Sequence, residues 1–188
     1  LLDLPMENAA LALQAYALLD LPWDARQIAD ALQATRVTGR LDRRHLNWRG
    51  KSLTLLLDVG HNPHAAQFLA GRLQARATAG RRLAVFGLLA DKELPGVVAP
   101  LLADIAHWAV TTLPSERSRP AAELHAHLAS RGAQVEAYGD VASALEAQCE
   151  RAAAGDEILL FGSFFCVAEA LMWLERYAQE DVQDGNAR

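Results

Sequence analysis

Five short apolar runs, at residues 53–57, 83–86, 108–111, 135–138 and 158–161, recur along the chain, and each is followed by a stretch with helical character. Predominantly apolar runs of this kind suit strands buried on both faces, and helices between such strands must return over the sheet by right-handed crossovers. The pattern predicts an α/β fold: a mostly parallel, Rossmann-like sheet covered by helices on both faces.

Two short helices precede this alternation. The segment MENAALALQAYALL places Ala10, Leu11, Ala15, Leu18 and Leu19 on one stripe, and Asp24 reads as the N-cap of DARQIADALQAT. Gly39 breaks the helical pattern, and residues 40–50 read as a connection or small hairpin rather than a core element. The expected division is a helical segment over 1–36, an α/β domain over 37–182 and a disordered tail over 183–188. The last helix is expected to run from about Phe164 to Tyr177, with the polar stretch after it frayed. A start at Leu1, with a helix at once, suggests a chain cut from a longer one.

Composition narrows the function classes. With 188 residues, 52% of them hydrophobic, the chain is long enough for one full domain. A net charge of −5 and scattered arginines leave no electrostatic footprint for nucleic acid. Cys149 and Cys166 are too few for a disulfide framework and too far apart for a CxxC motif, so free thiols in the cytoplasm are expected. The apolar N-terminus carries Asp3, Glu7 and Asp20, lacks a basic leader and is too interrupted to span a membrane.

In open parallel sheets ligands bind beyond the carboxyl ends of the strands. Two loops there carry polar groups. In DVGHNP, Asp58 ends a strand, Gly60 permits a tight turn, and Asn62 and Pro63 are explained as N-cap and first residue of the next helix. Asp58 can accept ribose hydroxyls and His61 can donate to an oxyanion; equally, Asp58 can cap a neighbouring backbone group and His61 can be a solvated loop residue. The spacing of Asp58, His61 and His64 admits a metal, but His61 precedes the cap and shares no helical face with His64, so no metal site is assigned. In FGSFFCVAEAL, Ser163 and the free amides of a helix start can meet an anion, or Ser163 can be a plain N-cap.

Other motifs fail. Ser163 lacks the flanking glycines of a nucleophile elbow. RGKS at 49–52 has His45 in the upstream glycine position and precedes a strand, so it is no phosphate loop, and no GxGxxG occurs.

Four ordered segments, TGRL at 38–41, LLLDVGHNPHAA at 55–66, LLADKE at 88–93 and FGSFFCVAEAL at 161–171, carry a resemblance. The chain resembles the carboxyl-terminal portion of the folylpolyglutamate synthase/dihydrofolate synthase family, and DVGHNPHAA resembles those folate ligases more than their cell-wall relatives, the Mur ligases. The resemblance implies an ATP-dependent ligase in which a folate carboxylate takes the γ-phosphate of ATP and the resulting acyl phosphate is displaced by L-glutamate. It implies a central ATPase domain, absent here, that supplies the phosphate loop and the Mg2+ ligands, with residues 1–36 as its helical end.

By motif matching, Arg40 would contact the terminal phosphates and, with His61, be catalytic. Asp58 would bind ribose, and His61 would lie near the phosphates or the incoming glutamate. Ser163 and Arg117 would hold glutamate, with Arg119 an alternative to Arg117; Lys92 matches a motif without an assigned role. The partners implied are ATP, L-glutamate, dihydropteroate or folate, and the enzyme's own N-terminal ATPase domain, in a monomer with no nucleic-acid or membrane partner. This piece alone is expected to be inactive. Two other readings stay open: a Mur-type amide ligase domain for another acceptor, and a non-catalytic α/β binding module.

Overall fold

All of the apolar runs but that at 135–138 form the inner strands of the sheet. A computed structural model of the protein describes residues 5–19, 21–76 and 78–186, with side chains as far as Ala178. Strand β2, Lys51–Asp58, contains Leu55, Leu56 and Leu57, all fully buried. It pairs in parallel with β6, Glu157–Phe161, which pairs in turn with β3, Arg82–Phe86. Strands β4, His107–Thr111, and β5, Val135–Tyr138, follow in parallel. The order is β1-β2-β6-β3-β4-β5, so the last strand is inserted between the second and third.

Strand β1, Asp42–Trp48, runs antiparallel to β2. Residues 40–50 were expected to lie outside the core, yet Leu46 and Trp48 are buried in it. Charged residues alternate with them on this edge strand, because only one of its faces meets the core. The RGKS segment contains the hairpin turn: Arg49 and Gly50 have φ of 47° and 82°, the left-handed pair that matches the twist of a two-residue hairpin.

Of the seven α-helices among the described residues, five cover the sheet. Helices α1, Met6–Ala17, and α2, Ala25–Ala34, lead the chain, and α2 is capped by Asp24, which accepts from the Arg26 and Gln27 amides at 2.9 and 3.0 Å. Helices α3, Pro63–Gln74, α4, Leu94–Val98, and α5, Ala121–Ala129, cover one face, packing Leu69, Leu73, Val97 and Leu124 against Leu56, Phe86 and Phe161. Helices α6, Val141–Arg151, and α7, Phe164–Asn186, cover the other, where Leu145, Val167 and Trp173 meet Leu55, Leu57 and Leu160. Two covered faces explain why β2, β6, β3 and β4 read as apolar runs, whereas β5, at the sheet edge, carries Glu136 and is not buried.

Two expectations need correction. Helix α7 continues through the polar stretch after Tyr177 to Asn186, since extending an existing helix adds one hydrogen bond per residue fixed and needs no new nucleus; Ala187 and Arg188 lie outside the described residues. The stripe expected on α1 is not buried in this chain: Leu11, Leu18 and Leu19 are exposed, and Ala9 is the buried residue of the helix. No helix among the described residues is long and apolar enough to cross a membrane.

Candidate functional site

Insertion of β6 between β2 and β3 creates a switch point. The chain leaves β2 for α3 on one face of the sheet and leaves β6 for α7 on the other. The connections diverge and open a crevice at the carboxyl ends of these strands. Asp58 and Phe161 are partners in the ladder, as are Phe86 and Phe161, so the turns beginning at Val59, Gly87 and Gly162 leave the sheet at one level.

Asp58 is 6% exposed. Its Oδ1 accepts from the Gly60 amide at 2.7 Å and its Oδ2 from the Leu41 amide at 2.9 Å. Burial pushes its carboxyl above the ordinary value; the two amide bonds and the Arg40 charge oppose that shift without cancelling it. Arg40 is exposed, and among the described residues its side chain makes no hydrogen bond or ion pair, while its amide donates to the Val37 carbonyl oxygen at 3.0 Å. It sits between Gly39 and Leu41, whose φ values are 72° and 46°.

Arg40, Asp58, Asn62, His64 and Phe68 line a cavity of about 210 Å³, which Glu7 and Asn8 of α1 help to close. A carboxylate with unused lone pairs, a free guanidinium and the amide end of α3 suit a ribose and its phosphates. A larger groove of about 550 Å³ involves Trp48 and Tyr177 at the far end of β2; there Arg49 is paired with Glu150, and none of the crevice groups takes part.

His61 lies on the same turn but faces a different neighbour. Its Nδ1 is 2.9 Å from the Val59 carbonyl oxygen, an acceptor, so Nδ1 carries the proton and Nε2 is left with its lone pair. A neutral His61 therefore accepts at Nε2, and donation from that nitrogen requires the protonated ring. Its ring lies 6.3 Å from that of Phe164, an exposed aromatic at the start of α7.

Asn62 caps α3, its Oδ1 accepting from the Ala65 amide at 2.9 Å, with Pro63 at the first turn. Asn62→Ala is expected to cost about 1 kcal/mol, seen as a lower urea midpoint with an unchanged slope. Ser163 is buried, and its hydroxyl accepts from the Phe165 amide at 3.2 Å, the local capping role. It lies two residues beyond Phe161, the ladder partner of Asp58.

Arg117 is not brought to this cluster. It follows β4, beyond β6 and β3, and is 67% exposed in an ion pair with Asp91 at 3.0 Å. Lys92, and further Arg117, hold the Asp91 carboxyl down to about 2. Arg119 is the structural member of the pair, donating to the carbonyl oxygens of Ala90 and Lys92 and meeting Glu123. Among the described residues no group of three or more His, Cys, Asp or Glu side chains is arranged to hold a metal. Both oxygens of Asp58 and Nδ1 of His61 are already engaged by the backbone.

Sequence reasoning left His64 and Phe68 out of the site. Their i, i+4 spacing on a helix starting at Asn62 puts them on one face above the cap, which was a readable signal. Glu7 and Asn8 carried no such signal.

A match to the family described as Mur ligase, glutamate ligase domain covers residues 39–164. The dihydrofolate synthase/folylpolyglutamate synthase of Escherichia coli strain K12 is 34% identical over 167 residues, covering 89% of this chain and 37% of that protein. The protein of the same name from Haemophilus influenzae is 33% identical over 183 residues, covering 89% of this chain and 42% of its own length. This chain therefore spans about two fifths of the relatives it matches. Among solved structures, E. coli FolC in complex with DHPP and ADP superposes with a TM-score of 0.82 at 32% identity, over 95% of this chain and 41% of that one. A bifunctional folylpolyglutamate synthase/dihydrofolate synthase with Mn, AMPPNP and L-glutamate bound gives 0.79 at 33% identity, over 93% and 41%.

Proposed function

The chain belongs to the Mur ligase, glutamate ligase domain family, and from that membership we propose that it is the carboxyl-terminal domain of an ATP-dependent ligase joining L-glutamate to dihydropteroate, to a folate, or to both. The observation that carries the reading is the crevice beyond β2 and β6, where buried Asp58 and unpaired Arg40 share one cavity. The ligands named for the similar structures, ADP, AMPPNP and L-glutamate, support it.

The acid carboxylate attacks the γ-phosphate of ATP to give an acyl phosphate and ADP, and the glutamate amine then attacks the acyl carbon, forming the amide and releasing phosphate. Arg40 meets the terminal phosphates with a permanent charge and forked donors. Asp58 accepts ribose hydroxyls through the lone pairs its amide bonds leave free. His61, neutral at Nε2, takes up the proton released as the amide forms. Ser163 and Arg117 are the candidates for the glutamate carboxylates, Ser163 from the crevice floor and Arg117 by leaving Asp91.

Residues 1–36 belong in this reading to a central ATPase domain, which supplies the phosphate loop and the Mg2+ ligands. The exposed Leu11, Leu18, Leu19 and Trp23 are the face that this domain covers. The intact enzyme works as a monomer in the cytoplasm, and the isolated chain binds ATP weakly and does not turn over.

The test is a substrate panel on the intact enzyme. ADP release is expected only when ATP, L-glutamate and dihydropteroate or a folate are all present. Release with a cell-wall precursor instead of the pterin acids would reassign the chain to another acceptor. Tight calorimetric binding of ATP to the isolated chain would overturn the division of labour between the domains.

A further inference from the structure

We propose that Asp58 is a positioning residue that fastens the Arg40 strap and the His61 turn to each other, Oδ2 holding the strap through the Leu41 amide and Oδ1 holding the turn through the Gly60 amide. Its effect on catalysis rests on the ligase reading above. The fastening itself rests on geometry alone.

The strap needs a clamp. Arg40 lies between two residues in the left-handed region, Gly39 and Leu41, and leucine rarely adopts that backbone. Strained backbone of this kind persists only where its surroundings over-determine it. Four hydrogen bonds do so here: the Leu41 amide to Asp58 at 2.9 Å, the Val59 amide to the Gly39 carbonyl at 2.8 Å, the Arg40 amide to the Val37 carbonyl at 3.0 Å, and the Gly39 amide to Asp42 at 3.3 Å. A Cβ on Gly39 would lie 2.9 Å from Val59 Cγ1, so the strap is pressed against the turn.

The turn is clamped from the other oxygen. Gly60 approaches so closely that a Cβ there would lie 2.7 Å from Asp58 Oδ1. Val59, between Asp58 and Gly60, both donates to the strap and offers the carbonyl that orients His61. One buried carboxylate thus sets the relative position of a guanidinium and an imidazole that do not touch. Arg40 on the strap, His64 on α3 and Glu7 on α1 are the other charged or titratable groups lining this cavity.

Asparagine distinguishes this role from that of a simple ribose ligand. It keeps one acceptor oxygen but turns an NH2 toward the other amide, so Asp58→Asn releases one of the two segments and Asp58→Ala releases both. In the 188-residue chain, the Leu41 and Gly60 amide resonances are expected to titrate together, with a midpoint above the ordinary 3.8 of an aspartate. Asp58→Asn should speed hydrogen exchange about tenfold at one of these amides and leave Leu56 unchanged. If the alanine variant does not fold, the asparagine variant still decides the question.

In the intact enzyme Asp58→Asn should lower kcat by about 10- to 100-fold, over and above the rise in KM for ATP expected from weakening a ribose acceptor. Adding Arg40→Ala to it should cost much less than Arg40→Ala costs alone. Unchanged exchange at both amides, fully additive losses, or a defect confined to KM for ATP would overturn the positioning role. A silent Arg40→Ala with altered amide exchange would sink the ligase role of Arg40 and leave the clamp standing.

Discussion

Replacing Arg40 with alanine in the intact ligase is expected to lower kcat/KM by about 10²- to 10³-fold, the usual loss when a donor aimed at developing charge is removed, while thermal stability stays nearly unchanged. The asymmetry follows from the residue's surroundings. The Arg40 side chain is exposed and, among the described residues, makes no hydrogen bond or ion pair, so the folded chain has little to lose when it is removed. Its nearest electrostatic influence is on the Asp58 carboxyl. A guanidinium held on a constrained strap without a partner is available for phosphate oxygens. Arg40→Lys should recover part of the loss, since charge is kept and the fork is not. ADP release under saturating and limiting ATP measures both variants, and wild-type turnover in Arg40→Ala would remove Arg40 from the site.

Gly162→Ala is expected to destabilise the chain by about 3 kcal/mol or more, combining backbone strain with overpacking. Gly162 has φ of 108°, and an added Cβ would lie 2.4 Å from the Gly87 carbonyl oxygen and 2.8 Å from the Phe86 ring. Backbone on one side and a fully buried ring on the other leave no flexible end to move aside. A domain of ordinary stability has about 5–15 kcal/mol in total, so the loss should be plain in urea unfolding. Gly87→Ala is the milder comparison, because its nearest contact is the end of the Leu113 side chain at 2.5 Å. Gly71, with nothing within 4 Å, should tolerate alanine without loss. An unchanged midpoint for Gly162→Ala would show that β6 and β3 do not meet as closely at the crevice as the structure has them.

These two positions differ in how much of their role could be read in advance. Arg40 was legible through the TGRL segment, but not the reason it is free, which depends on Leu41 being held in a left-handed conformation by a carboxylate 17 positions away. Gly162 was legible as part of a strand-to-helix turn. Its contact with Gly87 depends on β6 lying beside β3, which no local pattern encodes. Arg117 and Arg119 were indistinguishable by spacing and separated only once Arg119 was found stitched to the carbonyls of Ala90 and Lys92. Trp48 was read as part of a connection or small hairpin outside the core because charges surround it; the hairpin is there, and Trp48 is buried because β1 pairs along the whole of β2.

The sequence by itself determined the elements and their class. Apolar runs of four or five residues between helical stretches suit strands covered on both faces, and the caps at Asp24 and Asn62 are local chemistry that needs no tertiary partner. It also marked DVGHNP as the edge where function gathers. The tertiary structure decided which groups of that edge meet: insertion of β6 set the crevice, and the Leu41 and Gly60 amides converged on Asp58 from segments far apart in the chain. The physical reason is range. Periodicity and capping act over a few residues, whereas a buried carboxylate is satisfied by whatever donors the fold carries to it.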